Sequence, residues 1–501
     1  MINKKRYNMQ KNNFLSNLSA KFKTNLFKNS AWGIVSNILQ NLLLSVFFIV
    51  IAREYSKDDF GNYIIANTLY GFILGFSALG LGYWFIRELI GTDDRPGLIN
   101  KFFKLQFLAG IIFYLINIVL SYSLYDSQLI RSLSILIGIN IIFDNIIYVI
   151  KYVNIADSEQ KKTFVILTVE AALKFLVAAV LFFYKIPIIY LSLFLIVLRL
   201  ITLNLFIKYG SSNSINLKAI FKSNFSWKET KTIIGSNWSF MIIGSISVIY
   251  WRIGNILVSK ILTVDDVANY EISYKLFSLG YILPIIVSTS IYPLLINAYK
   301  ESIKRMQALY NNAFLAYGLY GLLAYTFIYS FADLVIPFLF GEKYIGTSFY
   351  CKEMFLTMIF FPTVFLQANV LITLKLEKLD MVCNLVSLIL NIAFCIIGFL
   401  YFEKTLSVVN YAIFFSFLAF HVIQDVILIK KKVASLGHVL TYYAVCITVV
   451  LGYYYLAGVI IKEYLFFIFW ITIALIGGLI FAVMRKQKLK AGLADPVKFD
   501  V

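Results

Sequence analysis

Nine ionisable side chains sit inside long apolar stretches of this chain: Asp144, Glu170, Lys174, Arg199, Arg252, Glu271, Lys275, His421 and Asp425. An unpartnered charge at mid-bilayer costs at least about 2.5–3.5 kcal/mol, so each should face protein or water and bind a ligand, carry a coupling ion or pair internally. Glu170 and Lys174 are four residues apart, as are Glu271 and Lys275. Both have the acid-first order that favours a self-neutralised pair on one helix. Asp144 and Asp425 have no partner at helical spacing except His421, one turn before Asp425. Each is either a protonation site or a neutral buried acid. Arg199 lies in the inner half of its stretch, within snorkelling reach of the cytoplasmic face.

Arg252 and Lys275 are the strongest candidates for binding an anion. Arg252 lies about 13 Å from the outer end of its helix, and Lys275 is at similar depth on the helix returning inward. Around them stand polar and aromatic residues suited to a wet cavity: Asn41, Tyr250 and Tyr274, with Asn37, Gln40 and Ser45. Small polar residues that pack helices together are the alternative reading of this set. Other chemistry is missing from the sequence. No Gly-Lys dipeptide exists, so there is no phosphate loop of the Walker type, and the two histidines do not form HExxH. Cys351, Cys383, Cys395 and Cys446 fit no metal spacing and read as buried free thiols. No enzyme activity, cofactor or metal is expected.

The elements that position these residues follow from composition. Sixty per cent of the 501 residues are hydrophobic and 14% are charged, more apolar surface than a water-soluble chain can hide. The apolar runs are long and continuous, so the fold class is all-α integral membrane rather than barrel. About fourteen spans are expected: 31–52, 61–86, 102–124, 129–150, 163–184, 186–206, 236–261, 268–295, 308–330, 347–372, 380–401, 406–429, 439–460 and 464–484. The net charge of +19 does not point to nucleic acid, because the basic residues form no single patch. They gather in alternate connections, such as Lys161 with Lys162, Lys300 with Lys304 and Arg305, and Lys430 to Lys432. By the positive-inside bias, those connections and both termini are cytoplasmic. No cleavable signal is expected. Residues 1–30 read as a basic amphipathic segment on the anionic inner leaflet, and a soluble tail is the alternative.

The chain also repeats itself. KDDFGNYIIA (57–66) recurs as VDDVANYEIS (264–273), with Asp58, Asp59, Asn62 and Tyr63 matching Asp265, Asp266, Asn269 and Tyr270 at an offset of 207. Trp32 and Trp238 fall at nearly the same offset. Six spans per copy give two lobes of like orientation, related by an axis along the membrane normal. The expected organisation is an N-lobe at 31–207, a cytoplasmic linker at 208–231, a C-lobe at 232–432, an extra helix pair at 433–484 and a cytoplasmic tail at 485–501. The paired acids are not read as a metal site: Ser56-x-x-Asp59 and Thr263-x-x-Asp266 match capping boxes. The same offset maps Arg252 onto Ser45 and Lys275 onto Thr68, so the repeated architecture does not itself require these cations.

Several segments resemble the polysaccharide-transporter (Wzx-type flippase) family of the multidrug/oligosaccharidyl-lipid/polysaccharide (MOP) exporter superfamily. They are AREYSKDDFGNYIIA (52–66), ALGLGYWFIREL (78–89), YWRIGNILVSKILTVDDVANYEISYKL (250–276) and FLFGEKYIG (338–346). The resemblance implies a flippase of the bacterial cytoplasmic (inner) membrane. Its cargo would be a polyprenyl-pyrophosphate-linked oligosaccharide, carried outward by alternating access for O-antigen, capsule or exopolysaccharide synthesis. On that reading the interior cations Arg252, Lys275, Arg199 and Lys174 would line a cavity between the lobes, with coupling roles open to Asp144, Glu170, Glu271 and Asp425. It also implies a cytoplasmic gate at Arg87 and Glu88. Membrane lipids, a polymerase and other polysaccharide-assembly proteins would be its partners, and the protein would be a monomer. One departure matters: relatives often carry an acid directly after the Arg-Ile of helix seven, where this chain has Gly254. The rival readings are a cation-coupled multidrug exporter of the same superfamily and a membrane glycan polymerase or ligase. The four acidic and four basic interior residues do not separate the first rival by charge, whereas the short external loops and the repeat oppose the second.

Overall fold

A computed structural model describes residues 25–210, 226–459, 461–473 and 475–476. Most of the N-terminal segment, the middle of the 208–231 linker and the 485–501 tail lie outside the described residues. The described chain is helical apart from short connections and an isolated bridge. In order the helices are α1 (Asn25–Glu54), α2 (Lys57–Ser77), α3 (Gly82–Gly91), α4 (Arg95–Leu124), α5 (Gln128–Gly138), α6 (Asn140–Ala156), α7 (Gln160–Leu181), α8 (Ile188–Tyr209) and α9 (Trp227–Ile261). Then come α10 (Val264–Glu301), α11 (Ile303–Phe340), α12 (Thr347–Phe355), α13 (Phe361–Thr373), α14 (Glu377–Tyr401), α15 (Leu406–Lys430) and α16 (Leu436–Leu456). A shorter apolar helix, α17, covers Glu463–Ile473.

This is an all-α, multi-pass membrane protein, and each of the fourteen expected spans falls mainly on helix over its described residues. Eleven helical segments among the described residues are long and apolar enough to cross a bilayer. The second span is not among them, because α2 carries a high share of Asn, Gly and Tyr, and the seventh is described only in part. The fourteenth is described only over its first half.

The second span is not continuous, as the sequence reading had it. α2 stops at Ser77, Leu79 and Gly80 adopt left-handed φ values of 55° and 58°, and α3 restarts at Gly82. Its repeat mate α10 runs unbroken for 38 residues. Pro284 of α10 stands 207 residues after Ser77, so the two copies mark the same point with different devices: a helix break with left-handed residues in one, and a proline that removes a helix hydrogen bond in the other. Both copies start alike. Ser56 accepts from the Asp59 amide at 3.0 Å, and Thr263 from the Asp266 amide at 3.2 Å. The Asp266 carboxylate returns to the Thr263 amide at 3.1 Å, completing the box. Thr263→Ala is expected to cost about 1 kcal/mol, read as a lower melting temperature in detergent; an unchanged melt would mean that the cap contributes nothing.

Two compact units are present, Met1–Arg252 and Ile253–Val501. Their boundary falls inside α9 rather than in the 208–231 connection. In the first unit, Phe85 stacks on Phe102 at 4.1 Å within a core that includes Trp84, Phe103, Ile150 and Val153. Gln40 of α1 reaches across to α7, donating to Phe164 O at 3.2 Å and Thr168 Oγ1 at 3.1 Å. The second unit packs Leu295, Met306, Tyr310, Leu366 and Leu428 together. Ser387 of α14 donates to Ser416 O of α15 at 3.1 Å. At the end of α11, Gly341 has φ 96°, a conformation L side chains rarely adopt, and turns the chain into a short 3₁₀ segment. All four cysteines are buried free thiols.

Candidate functional site

Four of the interior ionisable residues converge in the first unit. Arg199 of α8 forms ion pairs with Asp144 of α6 and with Glu170 of α7, the latter at 2.5 Å. Lys174, one turn after Glu170, reaches its other oxygen at 2.7 Å. The Tyr70 hydroxyl of α2 donates to the second oxygen of Asp144. Four helices therefore meet at two carboxylates and the two cations paired with them, with Lys151 of α6 also within electrostatic reach of both acids. Both carboxylates are buried, and Arg199 is largely so. Burial makes each charge expensive alone and each pairing correspondingly strong.

This arrangement changes two of the sequence readings. Arg199 does not snorkel away from its neighbours but lies between two carboxylates. Asp144, which has no partner on its own helix, has an arginine and a tyrosine from other helices. The Glu170–Lys174 pair is present as its spacing suggests. Lys174 and Arg199, named as cavity cations, are engaged by acids inside this unit.

Arg252 occupies a different setting. Its guanidinium lies along Gly71 of α2, where a Cβ would sit 3.5–3.6 Å from Nε, Cζ and Nη2. One turn on, a Cβ on Gly75 would come within 2.5–2.9 Å of the Val248 side chain. Gly71 and Gly75 thus form a G-x-x-x-G face that admits α9 to close range. The motif was legible as a spacing in an apolar run, but the sequence reading passed over it. Tyr250 is buried and meets the Trp251 ring edge-on at 5.3 Å. Asn41 turns back on its own helix, donating to Asn37 O at 2.8 Å.

In the second unit, Glu271 is buried and accepts from Asn255 Nδ2 at 2.5 Å. Lys275 and Tyr274 are half-buried on α10. At Gly254, the space a side chain would take is filled by the hydroxyl end of Tyr270. The position where relatives often carry an acid is therefore occupied by a neighbouring phenol. Asp425 accepts from Gln367 Nε2 at 2.6 Å and from the Tyr443 hydroxyl at 2.9 Å, and His421 Nδ1 lies 2.9 Å from it. The pairing of His421 with Asp425 follows its four-residue spacing; the partners from α13 and α16 had no signal in the sequence. Arg87 and Glu88 pair with each other at 3.2 Å on the exposed face of α3. Among the described residues, no group of three or more His, Cys, Asp or Glu is placed to hold a metal ion.

A family described as polysaccharide biosynthesis protein matches residues 50–348, more than half of the chain. The chain belongs to this family. The matched segment takes in the Tyr70–Asp144–Glu170–Arg199 cluster, both capping boxes and Arg252. No curated protein sequence matches. Among solved structures, the lipid II flippase MurJ in an inward closed conformation is similar with a TM-score of 0.67 at 14% identity, over 92% of this chain and 99% of that one. An inward-facing multidrug-resistance MATE transporter of the MOP superfamily is similar with a TM-score of 0.63 at 12% identity, over 77% and 92%. A MOP superfamily transporter from Pyrococcus furiosus gives a TM-score of 0.52 at 13% identity, over 79% and 92%. At these identities the likeness is one of fold.

Proposed function

We propose that this protein is a flippase that carries a polyprenyl-pyrophosphate-linked oligosaccharide outward across the bacterial cytoplasmic membrane by alternating access. The family match over residues 50–348 carries the reading, because it ties the chain to polysaccharide biosynthesis. The fold supplies a transporter architecture that MurJ, titled a lipid II flippase, also has. Both termini are assigned to the cytoplasm by the distribution of basic residues. Membrane lipids and polysaccharide-assembly proteins, a polymerase among them, are the partners this role entails.

The cargo joins an anionic pyrophosphate to a polar glycan, and neither crosses hydrocarbon unaided. Arg252 and Lys275 are our choice for the pyrophosphate; a guanidinium can take two of its oxygens at once. Tyr250, Tyr274 and Asn41 are assigned to the sugar side, and Arg87 with Glu88 to the cytoplasmic entrance. Arg199 and Lys174 are assigned elsewhere. Asp144 and Glu170 already neutralise them, so their role is to hold α2, α6, α7 and α8 in register.

Reconstitution in liposomes tests the function directly. Wild-type protein is expected to move a labelled polyprenyl-pyrophosphate oligosaccharide between leaflets with its covalent structure unchanged. Transport of organic cations but not of the lipid-linked sugar would establish the multidrug exporter instead, and a lengthened or transferred glycan would establish an enzyme.

A further inference from the structure

The second unit contains a buried polar centre that the proposed transport reaction does not use. His421 of α15 is fully buried, with 0% of its surface exposed, and Asp425 beside it is 2% exposed. The Tyr443 hydroxyl of α16 lies 2.6 Å from His421 Nδ1 and 2.9 Å from an Asp425 oxygen. Gln367 of α13 bridges the other Asp425 oxygen, at 2.6 Å, to the Tyr310 hydroxyl of α11, at 3.4 Å. Phe314 and Phe360 rings cover the imidazole. On the far side of the ring, Nε2 is buried and has no hydrogen-bond partner among the described residues.

The asymmetry of the ring is what matters. With a proton on Nδ1, the imidazole can serve Asp425 and Tyr443, and Nε2 is a bare acceptor. Adding a proton at Nε2 creates a donor with nothing to receive it, inside an aromatic wall. A buried unsatisfied donor costs about 1–3 kcal/mol, more when charged. The structure seen is therefore suited to the singly protonated ring. The titratable groups at the imidazole are Asp425 on its own helix and Tyr442 and Tyr443 on α16; Tyr310 of α11 faces Asp425, and Cys446 lies beside Tyr442 and Tyr443. No lysine or arginine among the described residues pairs with Asp425. A second proton is accommodated most readily if α16 gives way, because Tyr443 and Tyr442 hold that helix at the ring. Tyr442 also donates to Ile359 O at 2.6 Å.

We propose that His421 Nε2 is a proton-binding site whose occupancy releases α16, the first helix of the extra pair, from the rest of the second unit. The ligand is a proton, and the linkage is reciprocal: whatever loosens α16 favours the protonated ring. The idea does not depend on what the protein transports.

The chain has two histidines, which makes a single-residue test feasible. His438 caps the start of α16 with Ser435, so it is replaced by glutamine in every arm. Ring-nitrogen NMR on ¹⁵N-histidine protein then reports His421 alone, while hydrogen exchange follows the amides of 436–456. As pH is lowered, appearance of the second ring proton is expected to coincide with about ten-fold faster exchange in α16, after correction for intrinsic rates. Tyr443→Phe should exchange faster already at neutral pH, and His421→Gln should lose the pH response while keeping helical content. A ring that stays singly protonated throughout overturns the proposal. So does ring protonation that leaves α16 protected, or a pH response that survives in His421→Gln.

Discussion

Arg199→Ala is expected to destabilise the protein by about 3–5 kcal/mol, the cost of breaking a buried ion pair by removing one partner. The size follows from what remains. Arg199 answers both Asp144 and Glu170, and Lys174 reaches only Glu170. Without the guanidinium, Asp144 retains a tyrosine hydroxyl and no cation among its ion-pair partners. Either the carboxylate takes up a proton or the helices part to admit water. Melting in detergent, followed by loss of monodisperse protein, measures the effect. Arg199→Lys should keep one of the two pairs and lie between wild type and alanine. Combining Arg199→Ala with Asp144→Asn should recover part of the loss, because the uncompensated charge goes with its partner. Asp144→Asn and Arg199→Ala effects that simply add would mean the two side chains do not interact. Arg199→Ala protein that melts with wild type would remove the cluster as a structural element and return Arg199 to the list of substrate cations.

How much of this was readable beforehand depended on the range of the interaction. Residues related by helical spacing announced themselves: Glu170 with Lys174, His421 with Asp425, Ser56 with Asp59 and Thr263 with Asp266 all pair as their separations suggest. The apolar runs gave the helices, since a bilayer enforces length and continuity. Contacts between helices gave no such signal. Nothing in the sequence says that Arg199 turns toward Asp144 across 55 residues, or that Gln367 and Tyr443 converge on Asp425. Rules of depth suggested snorkelling for Arg199, and two buried acids outweighed them. The interruption after Ser77 was also missed. Leu79 and Gly80 in the left-handed region look, as letters, like an ordinary apolar run, whereas the matching point in α10 carries a proline that can be seen. Repeats reveal such correspondences only when both copies use residues with strong backbone preferences.

Arg252→Ala is expected to lower transport of the lipid-linked oligosaccharide at least about ten-fold while membrane insertion and melting stay close to wild type. A charge-assisted hydrogen bond to phosphate contributes about 1.5–3 kcal/mol, and each 1.4 kcal/mol is a factor of about ten. Melting should hold because the matched position in the first repeat is a serine, Ser45, so the helix does not need the cation to form. The glycines opposite sharpen the test. A Cβ on Gly71 would meet the guanidinium at ordinary contact distance, so Gly71→Ala should be nearly silent. Gly71→Leu places bulk where the guanidinium lies and should impair transport with Arg252 still present. Gly75→Ala strikes Val248 at 2.5–2.9 Å and should act by pushing α9 away, with a loss of stability that Gly71→Leu need not share. Arg252→Lys should retain part of the activity, since the charge persists and the two-pronged geometry does not. Liposome assays with matched protein amounts read all five variants. Full transport by Arg252→Ala would take the residue out of the binding site, and equal losses in Arg252→Ala and Gly75→Ala, each matched by lower melting, would reassign Arg252 to helix packing.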